Sequence, residues 1–126
     1  MAGQLQTVVE EFFAALDELD LDRLIPMFAE DVEEIDEVSR RWLRSKSEVM
    51  PHFTEFVKSA TSVKSVISNA RERTWGDVGV VTCWLDQAYT FDGKDASISA
   101  PTTILLERQK GEWRFGLFHS YPLPEA

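Results

Sequence analysis

The sequence predicts an α+β domain in which three helices from the first half of the chain pack on one face of a curved antiparallel sheet. Two observations carry this. Apolar stripes at helical spacing are confined to about the first 60 residues, and four runs rich in β-branched and aromatic residues fill the rest, separated by short glycine turns. A third, the length of 126 residues, fits residues 1–126 folding around one core.

Leu5, Val8, Val9, Phe12, Leu16 and Leu19 recur on one helical face, with Glu10, Glu11, Asp17 and Glu18 largely on the other. Asp20 or Asp22 can cap a second helix through Leu21, Leu24, Ile25 and Phe28, which Pro26 must shorten or kink. From Val32 to Arg44 the period shortens, predicting two short strands or a strand and a loop, with Val32, Glu34 and Asp36 on one face and Ile35 on the other. Ser45 and Glu48 have the spacing of a capping box, and Val49, Phe53, Phe56 and Val57 form a third helical stripe, with Pro51 tolerable only near its start. Strands are then expected over Val63–Thr74, Val78–Phe91, Ala96–Arg108 and Glu112–Tyr121. The turns between them, Trp75-Gly76-Asp77, Asp92-Gly93-Lys94 and Lys110-Gly111, are short enough for hairpins.

Charge bounds the partners. The net charge is −9, concentrated at the start: residues 1–37 hold 12 acids and one base, Arg23. Neither nucleic acid nor an anionic membrane is expected as partner, since both need a basic footprint, and the cluster Arg40, Arg41, Arg44, Lys46 is small. The acids of the first two helices read as outward faces and caps that serve solubility. Cys83 is the only cysteine and sits in an apolar run, which points to a buried, inert thiol and no internal disulfide. The opening Met1-Ala2-Gly3-Gln4-Leu5-Gln6 lacks the pattern of a signal peptide and no apolar run is long enough to span a membrane, so a soluble cytoplasmic protein is expected. No Cys-x-x-Cys, His-x-x-x-His, Gly-x-Gly-x-x-Gly, Walker or Gly-x-Ser-x-Gly pattern occurs. With two histidines and one cysteine, neither a structural zinc site nor a bound cofactor is expected.

Several segments together carry a family resemblance. Val8-Val9-Glu10-Glu11-Phe12-Phe13-Ala14-Ala15-Leu16-Asp17, Leu19 to Leu24 and Phe28-Ala29-Glu30-Asp31-Val32 resemble the opening of the nuclear transport factor 2-like superfamily. Gly76-Asp77, the strand Thr102 to Arg108, Gly111-Glu112-Trp113-Arg114-Phe115 and His119 resemble its close. Within it the chain is most similar to SnoaL-like and ketosteroid-isomerase-like domains. The resemblance implies a cone: a strongly bent antiparallel sheet, with the helices on its concave face, open at one end to an apolar cavity and commonly paired as a homodimer through the sheet. It implies a small apolar ligand and, in some members, isomerase, cyclase, dehydratase or epoxide hydrolase activity; others only bind or scaffold.

Aligned without a gap from Phe12 through Asp31, Asp36 falls where ketosteroid isomerase carries its general base, and burial at a cavity mouth would raise its pKa towards the working range. The oxyanion donors of that enzyme fall at Phe12 and Thr103, which argues against its mechanism in detail. His119 is the second candidate: Trp113, Phe115, Leu117, His119 and Tyr121 alternate onto one face, expected to point into the cone. Relatives often place a serine two residues after this histidine; here Ser120 comes one residue early. Phe12, Leu16, Trp42, Trp84, Tyr89, Thr103 and Tyr121 are the expected cavity lining. His52 borders the third helical stripe and reads as a solvent-edge residue. Two functions stay open: a small-molecule enzyme of the isomerase, cyclase or lyase type acting on a polyketide- or steroid-like ligand through Asp36 and His119, and a non-catalytic dimeric ligand-binding or scaffold domain.

Overall fold

Four long strands form most of the sheet in the computed structural model, which describes residues 3–124: β3 (Ala60–Trp75), β4 (Val78–Phe91), β5 (Lys94–Gln109) and β6 (Glu112–Ser120). Met1 and Ala2, which open the segment read for a signal peptide, lie outside the described residues. Asp92-Gly93 and Lys110-Gly111 take positive φ at both positions, the geometry whose twist matches adjoining antiparallel strands. Two strands from the first half, β1 (Phe28–Asp36) and β2 (Leu43–Arg44), complete the order β2-β1-β6-β5-β4-β3. The pairing of β1 with β6 is parallel, so the sheet is mixed where an antiparallel one was expected. A run of hairpins determines only the pairings between neighbours in sequence; β1 reaches β6 across the whole chain.

Helix α1 (Gln4–Asp17) lies on β3 and β4, and α3 (Lys46–Ser59) lies on β1, closing the concave side of an α+β cone. Gly3 caps α1 without a side chain, and the Glu72 carboxylate of β3 accepts the N–H groups of Leu5 and Gln6 at 3.3 and 3.1 Å instead. Helix α2 is a single turn, Leu21–Leu24, and gives way to a 3₁₀ turn over Ile25–Met27 at Pro26; Phe28 therefore opens a strand and does not continue a helical stripe. The expected capping box of α3 does not form: Ser45 makes no side-chain cap and Glu48 accepts from the Arg44 N–H at 2.8 Å. Pro51 lies inside α3, where it cannot donate to the Ser47 carbonyl. The core is aromatic, with Phe12 fully buried and its ring centroid 4.5–6.0 Å from those of Phe13, Phe28, Phe53, Phe115 and Phe118.

One irregularity decides which way the last strand faces. Leu105 pairs with Leu117 but Leu106 pairs with Phe115, so Gly116 is an extra residue on β6. The bulge inverts the alternation. Trp113 and Phe115 are buried before it, Phe118 and Ser120 after it, and His119 is exposed.

Candidate functional site

β1 turns Val32, Glu34 and Asp36 towards the concave side, and it ends in a tight turn built by Asp36 itself. The Asp36 Oδ1 atom accepts the N–H groups of Val38 and Ser39 at 2.9 and 2.7 Å, and the Ser39 hydroxyl accepts the Asp36 N–H at 3.0 Å. This turn sends the chain back through β2 into α3, whose stripe brings His52 over the end of β1. There His52 Nε2–H donates to Asp36 Oδ2 at 3.0 Å, with both side chains largely buried. Glu34, one inward position earlier, is completely buried; its Oε2 lies 4.0 Å from His52 Nε2, and neither of its oxygens has a hydrogen-bond partner among the described residues.

Asp36 and His52 border a cavity that Glu37, Leu16, Phe53 and Ser120 also help to line. The space a water centre can reach in it is about 30 Å³, enough for about two waters. Ser120 pairs with Asp36 across the parallel strands, and its hydroxyl lies 2.9 Å from that of buried Thr102.

The surroundings drive the carboxyl groups apart. Burial, then the neighbouring Asp36 and Glu37, push Glu34 up to about 11, so it is a neutral acid near pH 7. Burial also opposes a charge on Asp36, but the hydrogen bond from His52, the neighbouring Glu34 carboxyl, the His52 charge and the Ser39 N–H outweigh it and hold Asp36 well below the usual carboxylate range. Burial pushes Glu37 up to about 7; the Asp36 charge adds to the rise, while its own backbone N–H, His52 and Tyr89 restrain it. Burial also raises Tyr89, together with the Glu37 and Asp36 charges beside it.

Asp36 stands at the cavity, but with a carboxyl lowered where a raised one was expected, because the expectation counted burial and not the imidazole that α3 delivers. Leu16 lines the cavity, and Tyr89 is on the inner face, edge-on to Phe56. Phe12 sits in the centre of the core. His119 and Thr103 pair on the outer face, the first because of the Gly116 bulge and the second because Thr102 takes the inward position. Trp84 also faces outward, its indole N–H donating to the Ser99 hydroxyl. Trp42 is exposed in the β1–β2 connection with its ring 6.0 Å from that of His119, and Tyr121 is exposed beyond β6. His52, read as a solvent-edge residue, is the imidazole of the site. Its signal was present in the stripe Val49, His52, Phe53, Phe56, and that of Glu34 in its alternation with Val32. Cys83 is buried, and burial pushes its thiol up to about 11, in keeping with an inert group. No helix among the described residues is long and apolar enough to cross a membrane.

A mixed, bent sheet with helices closing its concave side over a titratable cavity defines a nuclear transport factor 2-like domain. The model of the SnoaL-like domain family matches residues 5–123, and the chain belongs to that family. Solved structures agree in fold. A proposed dehydratase of the nuclear transport factor 2-like family from Streptomyces avermitilis superimposes with a TM-score of 0.89 at 16% identity, covering 97% of this chain and 95% of that one. A proposed calcium/calmodulin-dependent protein kinase II association domain from Xanthomonas campestris gives 0.84 at 22% identity over 98% and 88%. A ketosteroid isomerase-like protein from Erwinia carotovora atroseptica gives 0.78 at 14% identity over 95% and 94%. No curated protein matches the chain in sequence.

Proposed function

We propose that the chain is a small-molecule enzyme of the isomerase, cyclase or lyase type, moving a proton at the mouth of its cavity. The observation that carries this is the 3.0 Å contact of His52 Nε2 with Asp36 Oδ2 at the wall of an apolar cavity that Glu37 also lines. Glu37 is the proton carrier, because a carboxyl raised to about 7 exchanges a proton readily near neutrality. Asp36 is a positioning residue: both its oxygens are engaged, and it fixes the ring of His52, which addresses the substrate's polar group. His119, on the outer face, has no part in this step.

The likeness to a proposed dehydratase and to a ketosteroid isomerase-like protein supports the reaction class through the fold alone. The narrow cavity restricts the ligand to one that enters its mouth with a single small apolar group, unless the wall opens for a polyketide- or steroid-like ring system. Turnover of carbonyl compounds with acidic α-hydrogens is the test. Activity should rise with pH through about 7 as Glu37 becomes the base; Glu37→Gln should remove that limb and lower the rate at least about a hundredfold. A pH profile unaltered in Glu37→Gln would overturn the assignment.

The narrowness of the cavity also favours a second reading, a ligand-binding or scaffold domain that pairs as a homodimer through the outer sheet face, where Trp84, Thr103 and Leu105 are only half-buried. Loss of self-association in Trp84→Glu, read by sedimentation, would support the pairing. A monomer at all concentrations would dismiss it.

A further inference from the structure

We infer that Glu34, Asp36 and His52 form a binding site for one first-row divalent cation of the manganese-to-zinc series. Glu34 Oε2, Asp36 Oδ2 and His52 Nε2 each offer one donor atom, and one donor from each residue lies within 4.8 Å of the other two. Two ligand atoms about 2.1 Å from one metal and at right angles are about 3.0 Å apart, which is the separation of Asp36 Oδ2 from His52 Nε2. Glu34 Oε2, at 4.0 Å from the same nitrogen, needs to move by about 1 Å to join them.

The independent pointer is Glu34. A carboxyl group with no exposed surface and no hydrogen-bond partner for either oxygen among the described residues is costly to keep in a fold. Its Oε2 lies beside His52 Nε2, where a cation would meet two further donors. Asp36 is prepared in the same sense: the N–H groups of Val38 and Ser39 hold Oδ1, orienting Oδ2 towards His52, as outer partners orient a metal's ligands. The donor set of one imidazole and two carboxylates suits zinc, cobalt, iron or manganese and disfavours soft copper(I). Two of the three ligands, Asp36 and His52, line a cavity with room for about two waters, which leaves a coordination position open to water. Counting histidines and cysteines misses such a site because two of its three ligands are carboxylates.

This inference stands apart from the proton-transfer reading, since a cation would displace to solvent both the Glu34 proton and the proton shared by His52 and Asp36; the two are read separately. Protein without a polyhistidine tag, stripped with chelator, is titrated with Co²⁺ and then Zn²⁺, following cobalt's visible absorption and the melting temperature. One equivalent of Co²⁺ should bind, be displaced by Zn²⁺ and raise the melting temperature. Glu34→Gln and His52→Gln, checked for fold by circular dichroism, should each weaken binding by more than about tenfold, and His119→Gln should leave it unchanged. Failure of the parent to bind one equivalent, or equal binding by both site variants, would overturn the proposal. Turnover by chelator-stripped protein tests the proton-transfer reading on its own.

Discussion

Replacing Glu34 with glutamine removes a titrating group from a completely buried position while leaving its size nearly unchanged, and the change in stability can be worked from the site. In the unfolded chain this carboxyl ionises near its ordinary value of 4.5; in the fold burial and Asp36 hold it up at about 11. Between those limits the folded chain keeps a proton that the unfolded chain gives up, so stability falls as pH rises. For one proton the slope is a factor of ten in the folding constant per pH unit, about 1.4 kcal/mol. From pH 6 to pH 8 the parent should lose about a hundredfold relative to Glu34→Gln. Glu37 also titrates in this range, but it is present in both proteins and cancels in the comparison. Urea unfolding at pH 6, 7 and 8 measures the difference directly, and at pH 8 Glu34→Gln should be the more stable protein. Parallel stability profiles for the two would refute the claim that Glu34 is buried and neutral.

Other expectations concern the fold that holds the site. Phe12→Ala should cost about 3–5 kcal/mol by chemical denaturation, because its ring touches aromatic side chains from α1, β1, α3 and β6. Glu72→Ala should cost about 1 kcal/mol by the same measurement, since it leaves the first N–H groups of α1 without an acceptor. Deleting Gly116 should preserve a cooperative thermal transition, because removing the extra residue lets Leu117 follow Phe115 directly and leaves Phe118 and Ser120 inward and His119 outward.

What could be read from the sequence follows the range of the forces involved. The stripe through Leu5, Val9, Phe12 and Leu16 and the turns at Asp92-Gly93 and Lys110-Gly111 are local, and they locate α1 and the hairpins closely. Inward placement of Glu34 and Asp36 follows from the alternation with Val32. The parallel pairing of β1 with β6 is not local, and nothing in Phe28–Asp36 specifies its partner. Gly116 is a single residue whose bulge appears only when β6 is set against β5, and one missed residue exchanges His119 for Ser120 at the inner face. The contact of His52 with Asp36 depends on the packing of α3 against the end of β1, so burial at a cavity mouth, taken alone, suggested a raised carboxyl where the assembled site holds a lowered one.

The central claim is that Glu37, with His52 held by Asp36, moves protons on a small molecule at the cavity mouth. Exchange of carbonyl α-hydrogens with D₂O, followed by NMR on chelator-stripped protein with ligands that shift the signals of Glu37 and Ser120, tests it most directly. Exchange is expected in the parent and in His119→Ala, with a loss of at least about a hundredfold in Glu37→Gln and His52→Ala. Ligand bound at the cavity with no exchange above the uncatalysed rate, or exchange undiminished in both site variants, would contradict it.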